Sequence, residues 1–275
     1  MNDKFTGKNI IITGGSSGIG KACGKKFASL GANITIVARD ENKLSIAKKE
    51  IEKNSQNKTQ KIVDLVADVS DRSQIEKAIE LSVNKIGDPD ILITSAGIAV
   101  PGYFQQQSLE IFERSMAINY FGSLYAIKAV LPFMINKKQG HIVLISSGAG
   151  AIGIYGYTTY SPTKFALTGL AECLRSELKP FKINVSIVYP PDTDTPQLQA
   201  ENKTKPAATK MIAGTAKLWS AENVAKIIVE GIENNYFKIA PGLEMTLLLK
   251  LNSFLKPILN WYFDRIVAKN FENKP

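Results

Sequence analysis

The run Thr13-Gly14-Gly15-Ser16-Ser17-Gly18-Ile19-Gly20 limits what this chain can fold into more than any other feature. It follows the short apolar stretch 9–12 and opens a helical pattern over 21–30, with Ala22, Phe27 and Leu30 inward. Glycine lets a backbone turn tightly and approach a ligand. A helix N-terminus presents unpaired N–H groups and a positive dipole end to an anion. A strand, a glycine-rich turn and a helix in that order are the context that a dinucleotide fingerprint requires. The spacing here is Thr-Gly-x-x-x-Gly-x-Gly rather than Gly-x-Gly-x-x-Gly. Ser16 and Ser17 add hydroxyl donors for ribose or phosphate oxygens. The alternative is a turn that serves only the fold.

The remaining pattern alternates in the same way. Strands are predicted at 33–38, 61–67, 90–94, 141–146 and 182–188. Helices are predicted at 41–53 behind an Asp40 cap, at 71–86 with Ile75, Ile79 and Val83 on one face, and at 108–136, 157–178 and 220–232. Short strands alternating with helices predict βαβ units, hence an α/β, doubly wound parallel sheet with ligands at the carboxyl ends of its strands. A chain of 275 residues suits one such domain, expected over 1–240. The proline-rich stretch with Pro190, Pro191, Pro196 and Pro206 reads as a lid over about 191–217, because a packed helix follows it.

From 241 to 275 the character changes to an amphipathic helical tail. Leu247, Leu251, Leu255, Ile258 and Tyr262 fall at helical spacing, and Lys250, Ser253, Asn260 and Asp264 lie on another face, with Pro257 expected to interrupt the run. Two readings stand. The tail packs on the domain or a second subunit, or it lies on a membrane surface, with Trp261 and Tyr262 at headgroup level and Lys250, Lys256, Arg265 and Lys269 near anionic lipid. No run of about 18 uncharged apolar residues is found, so no spanning helix is expected. Residues 1–8 are too polar for a signal peptide.

Composition removes several chemistries. His141 is the only histidine, which argues against Ser-His-Asp hydrolysis and histidine-rich metal centres. Cys23 and Cys173 provide neither a disulfide framework nor a metal-ligand spacing, so no metal is expected and reducing cytosol is the default compartment. The net charge of +9 comes largely from dispersed lysines such as Lys48, Lys49, Lys53 and Lys58. Without a recognition motif it reads as a solvated face, and no nucleic-acid partner is expected.

Strand two ends at Ala38-Arg39, with Lys43 a helical turn later. Two cations where a carboxylate would serve NAD suit the 2′-phosphate of NADP. Asp40 could still accept from a ribose hydroxyl. Asp68 could accept from an adenine amino group, or cap the next helix with Ser70 and Asp71. Ser147 ends the fifth strand, and Tyr160 and Lys164 are four apart on one helix face. A free tyrosine titrates near ~10. A neighbouring ammonium and an oxidised nicotinamide are expected to lower that value toward working pH.

Thr13–Gly20, Ala96-Gly97, Asn119, Ser147 and Tyr160-x-x-x-Lys164 together resemble the short-chain dehydrogenases/reductases over about residues 5–240. The resemblance implies a single-domain Rossmann fold, homo-oligomeric through its two long helices. It implies that Tyr160 donates the proton during carbonyl reduction and that Ser147, rather than its neighbour Ser146, hydrogen-bonds the carbonyl oxygen. Lys164 would hold the nicotinamide ribose and lower the tyrosine pKa, and Asn119 would support a water chain to Lys164. It also implies an NADPH/NADP site made by Gly14, Ser16, Ser17, Gly18, Ile19, Gly20, Arg39, Lys43, Asp68, Val69, Ala96, Gly97, Tyr160, Lys164 and Pro190. Thr94-Ser95 replaces the family's usual Asn-Asn, so a shorter hydroxyl is expected to make any bond that steadies that loop.

A narrower likeness rests on Tyr189-Pro190-Pro191-Asp192-Thr193-Asp194-Thr195-Pro196 and Glu201-Asn202-Lys203-Thr204-Lys205-Pro206, which look like the 3-ketodihydrosphingosine reductases. That implies NADPH-dependent reduction of a long-chain lipid ketone in sphingolipid biosynthesis. It also implies peripheral membrane contact, on the cytosolic face of the endoplasmic reticulum in a eukaryote. Another hydrophobic ketone, a 3-oxoacyl thioester or a steroid, is the alternative, and a non-catalytic NADP-binding protein is a third reading. Asp192 or Asp194 is the candidate acceptor for a substrate amine.

Overall fold

The computed structural model describes residues 3–213 and 218–272. The end of the expected lid, 214–217, and the last residues of the tail, 273–275, lie outside the described residues, as do the first two residues of the polar N-terminus.

β1 (Asn9–Thr13) contains Ile10, Ile11 and Ile12, all without solvent exposure. Side chains alternate across a strand. Ile10 and Ile12 therefore enter one hydrophobic layer and Ile11 enters the layer on the opposite face. Burial on both faces is the condition under which parallel sheets form.

The first layer is covered by α1 (Gly18–Ala28), by α2 (Glu41–Glu52) beyond β2 (Asn33–Ala38), and, from much later in the chain, by α9 (Ala221–Glu233). The second layer is covered by α3 (Arg72–Ile86), which follows β3 (Ile62–Val66), and by the helices on either side of β5. β4 (Ile91–Thr94) leads to α4 (Leu109–Met116) and α5 (Gly122–Lys137), then β5 (Gly140–Ile145), α6 (Ser161–Glu177) and β6 (Ile183–Val188). With β9 (Lys238–Ile239) at one edge, the strands pair in parallel in the order β3-β2-β1-β4-β5-β6-β9. The chain leaves β1 toward β2 and β3 and returns on its other side as β4. That reversal opens a crevice beyond Thr13 and Thr94, where ligands of such sheets bind.

Asp40 caps α2 by accepting from the Lys43 amide at 2.9 Å, and Asp71 caps α3 by accepting from the Gln74 amide at 3.1 Å. Some boundaries differ from the sequence pattern. α6 starts at Ser161 instead of 157, because Pro162 suits the first turn of a helix and not its interior. The predicted helix 108–136 is a rod in which a π-helical turn, Ala117–Phe121, separates α4 from α5. This rod, Leu109–Lys137, is long and apolar enough by length and composition to cross a membrane, contrary to the expectation of no such segment. Here Ile118, Ala126, Ile127, Val130 and Met134 bury one side of it in the second layer.

The lid contains β7 (Thr193–Asp194), α7 (Pro196–Thr204) and α8 (Ala207–Ala213), and β7 pairs with β8 (Trp219–Ser220). The tail forms α10 (Leu243–Lys250) and α11 (Asn252–Glu272). The helices break at Leu251 and not at Pro257, which α11 accommodates. Each face of the tail has its own environment. Met245, Leu248 and Leu249 pack on the second layer, and Phe263, Ile266 and Val267 pack on Ala208 and Ile212 of α8. Leu247, Leu251, Phe254, Ile258, Trp261 and Tyr262 are exposed.

Candidate active site

A cavity of about 920 Å³ opens beyond the carboxyl ends of the strands. Its first wall is the glycine-rich turn. Gly14 has φ +72°, and a Cβ there would lie 2.6 Å from the Ala96 nitrogen, so only glycine lets the two loops meet. A Cβ on Gly20 would collide with the Gly14 carbonyl; that glycine closes the turn on itself. Ser17 is the N-cap of α1, yet its side chain makes no capping bond. The first N–H groups of α1 therefore face the cavity beside Ser16, Gly18 and Ile19, a cradle suited to a pyrophosphate.

At the end of β2, Arg39 and Lys43 line the same cavity. Each already has a carboxylate: Arg39 Nη1 lies 3.4 Å from Asp68 Oδ2, and Lys43 Nζ lies 3.3 Å from Asp40 Oδ2. Asp68 also accepts from the Ser70 amide at 2.9 Å and the Ser70 hydroxyl at 2.7 Å. Burial alone would raise its pKa; the Ser70 bonds and the Arg39 charge hold it below the ordinary carboxylate range. The N-cap of α3 is Asp71, not Asp68. Ala67 and Val69 on either side of Asp68 line the cavity, as do Ala96, Gly97 and Pro190.

Beyond β5, the hydroxyls of Ser146 and Ser147 take opposite directions. Ser146 donates to the Lys164 carbonyl at 3.1 Å and is buried. Ser147 accepts from the Ala149 amide at 3.2 Å, and its side chain favours the phenolate form of Tyr160. Lys164 lies in the first turn of α6. Its Nζ donates to the Ile145 carbonyl at 2.9 Å and stands 5.5 Å from the centre of the Tyr160 ring. Both side chains are almost fully buried.

The electrostatics differ from expectation for the tyrosine. Burial, with the Glu201 carboxylate adding to it, pushes the Tyr160 pKa above its ordinary range, outweighing the hydrogen bonds that favour phenolate. Burial lowers Lys164 to about 8, with Glu201 opposing. A phenol so placed keeps its proton at neutral pH, which is the form an acid needs.

Asn119 lies in the π-helical turn. Its Oδ1 accepts from the Ile98 amide at 2.8 Å; its Nδ2 donates to the Ile98 carbonyl and the Thr163 hydroxyl, both at 2.9 Å. This clamp holds the loop after β4 on α6. The Thr94 hydroxyl has no hydrogen-bond partner among the described residues, so it is Asn119, and not that shorter side chain, that steadies the loop.

One part of the site was not read from the sequence. Gln197 favours the phenolate form of Tyr160, and its Nε2 donates to Glu201 Oε1 at 2.9 Å. Tyr157 donates to Glu201 Oε2 at 2.7 Å. Lys205 Nζ lies 3.7 Å from Glu201 and 3.9 Å from Asp192. A Glu and a Lys four apart ordinarily mark a solvated helix face, yet here both are buried. From the cluster the cavity continues along an apolar wall made by Met245, Leu248, Leu255, Leu259 and Phe263.

The family model described as short chain dehydrogenase matches residues 8–206. A 3-dehydrosphinganine reductase of Danio rerio is 44% identical over 256 residues, which are 93% of this chain and 77% of that protein. A 3-ketodihydrosphingosine reductase of Dictyostelium discoideum is 44% identical over 279 residues, covering 96% of this chain and 84% of that protein. A short-chain dehydrogenase from Sphingobium yanoikuyae, solved in complex with NADPH, is 25% identical and superposes with a TM-score of 0.77, over 92% of this chain and 94% of its own.

Proposed function

Because the chain belongs to the short chain dehydrogenase family, we propose that it reduces 3-ketodihydrosphingosine to dihydrosphingosine with NADPH. The observation that carries this reading is the juxtaposition of Ser147, Tyr160 and Lys164 with an apolar channel in one cavity of about 920 Å³. The likeness in sequence to proteins named for that reaction supports the choice of ketone.

The residues fit a nicotinamide dinucleotide. The open N-terminus of α1 takes the pyrophosphate, and Gly14 and Gly20 leave room where side chains would not. Arg39 and Lys43 favour a 2′-phosphate, which would draw them from Asp68 and Asp40. The bound cofactor supplies hydride to the carbonyl carbon. Tyr160 holds the proton that the oxygen receives. Ser147 hydrogen-bonds that oxygen, and such bonds strengthen as charge grows on it. The Lys164 ammonium, tied to Ile145, keeps a positive charge beside the phenol, and Asn119 fixes the loop against which the ring is held. Met245, Leu248 and Leu255 shield the alkyl chain from water.

The exposed face of α10 and α11 carries Phe254, Ile258 and Trp261 with Lys256 and Arg265. That pattern suits an anionic membrane surface from which such a substrate would come, at the cytosolic face of the endoplasmic reticulum in a eukaryotic cell. Phe121, exposed on the long rod, is the position where a second copy would pack.

The test is NADPH oxidation with a short-chain 3-ketodihydrosphingosine, run for wild type and Tyr160→Phe. Turnover that falls by about a hundredfold or more in the variant, with NADPH still bound, supports the reaction and the acid. Wild type that binds NADPH without turnover discards this ketone.

A further inference from the structure

The Gln197 amide stands between Tyr160 and Glu201: it favours the phenolate form of Tyr160, and its Nε2 donates to Glu201 Oε1 at 2.9 Å. A hydrogen-bond donor one step from the reacting oxygen therefore has a buried acceptor waiting for it. Glu201 is 6% exposed and lies in the wall of the same cavity. Among the described residues, Glu201 and Asp192 share one ammonium within 4 Å, that of Lys205, whose side chain is 2% exposed. Tyr157 adds a neutral donor to Glu201 at 2.7 Å. Lys164 also feels Glu201 but is tied to the Ile145 carbonyl, so a buried carboxylate in the cavity wall has room for a further charged donor.

We infer that Glu201, which shares the Lys205 ammonium with Asp192, is the specificity-determining acceptor for an ammonium on the carbon next to the ketone, in the place that the Gln197 amide fills here. The inference rests on the reductase reading above and narrows it to α-amino ketones. In such a substrate the nitrogen stands one carbon from the carbonyl carbon. With its oxygen at Ser147 and Tyr160, its ammonium reaches the place of the Gln197 amide and donates to Glu201. An uncharged ketone of equal chain length gains the apolar channel but offers Glu201 no charged donor. Asp194, the other candidate for this role, is exposed and its Oδ1 accepts from Gln199 at 3.4 Å, so it is set aside.

The experiment compares kcat/KM for a short-chain 3-ketodihydrosphingosine with that for its N-acetyl form, which has lost the positive charge. Wild type, Glu201→Gln and Asp192→Asn are measured. The expected result is a wild-type preference for the amine that drops by about tenfold or more in Glu201→Gln, chiefly through KM. Asp192→Asn, at a side chain 38% exposed, gives a smaller drop in the same direction and answers the question if the buried variant fails to fold. Equal wild-type values for amine and amide, or variants that lose the same factor on both, overturn the inference and leave the reductase reading intact. Wild type that reduces neither ketone overturns that reading and the inference with it.

Discussion

Lys164 Nζ is bonded to the Ile145 carbonyl at 2.9 Å, so the first turn of α6 is tied to the last residue of β5 across the floor of the site. The tie holds an ammonium where water does not reach. Its cost is visible in a lysine pKa lowered by burial from 10.5 to about 8.

The charge on Lys164 is therefore lost as pH rises through about 8. We expect kcat/KM for reduction to fall above that value, and a Lys164→Met variant to be slower with no descending limb there. A wild-type profile flat from pH 7 to 10 would contradict this. The stability effect has the opposite sense. Between about 8 and 10.5 the unfolded chain binds a proton that the folded chain does not, so this group's contribution to stability rises with pH across that window.

His141 gives a second pH prediction. It is buried in β5, with Nε2 2.7 Å from the Ser186 hydroxyl, which itself donates to the Tyr236 carbonyl at 2.6 Å. The Ser186 proton is spent on Tyr236, so His141 must donate, and its neutral form carries the proton on Nε2. Burial lowers its pKa from 6.5 to about 4. Stability from this group is complete above pH 6.5 and is lost as pH falls toward 4, by on the order of 3 kcal/mol. As the sole histidine it gives one imidazole signal in NMR. That signal should not shift between pH 7 and 5 while the protein stays folded; a midpoint near 6.5 would refute the assignment.

Much of this was legible in the sequence. Gly14 to Gly20 announced the crevice, and the spacing of Tyr160 and Lys164 survives although Tyr160 precedes the helix rather than belonging to it. The Glu201 cluster was not legible. Burial inverts the meaning of a Glu–Lys pair, and nothing local to α7 shows which side of it meets Tyr157. Helical spacing likewise could not divide the tail. Leu255 and Ile258 obey one period, yet Leu255 lines the cavity and Ile258 is exposed.

Arg39 and Lys43 should govern the choice between NADPH and NADH. Replacing both with alanine should raise KM for NADPH by about tenfold while changing that for NADH little, since only the first carries a 2′-phosphate. Equal effects on the two cofactors would assign both side chains to the fold alone.

The exposed face of the tail can be tested without removing its inner face. Phe254→Glu with Trp261→Glu should lower flotation with anionic phospholipid vesicles several-fold and leave thermal stability within about 2 °C, because both side chains are more than half exposed. Unchanged flotation would leave that face without a role at a membrane.

The π-helical turn at Ala117–Phe121 has a consequence for the rod that contains it. An α-helix advances about 100° per residue, so the one residue that a π turn adds sets α4 and α5 on a common axis with different angular phases. The face of α4 that buries Ser115 and the face of α5 in the core can each be correct only because of that offset. Deleting a single residue there would leave a regular helix of nearly the same length with one half turned away from its partners: Asn119 would swing off Ile98, and the loop after β4 would lose its clamp.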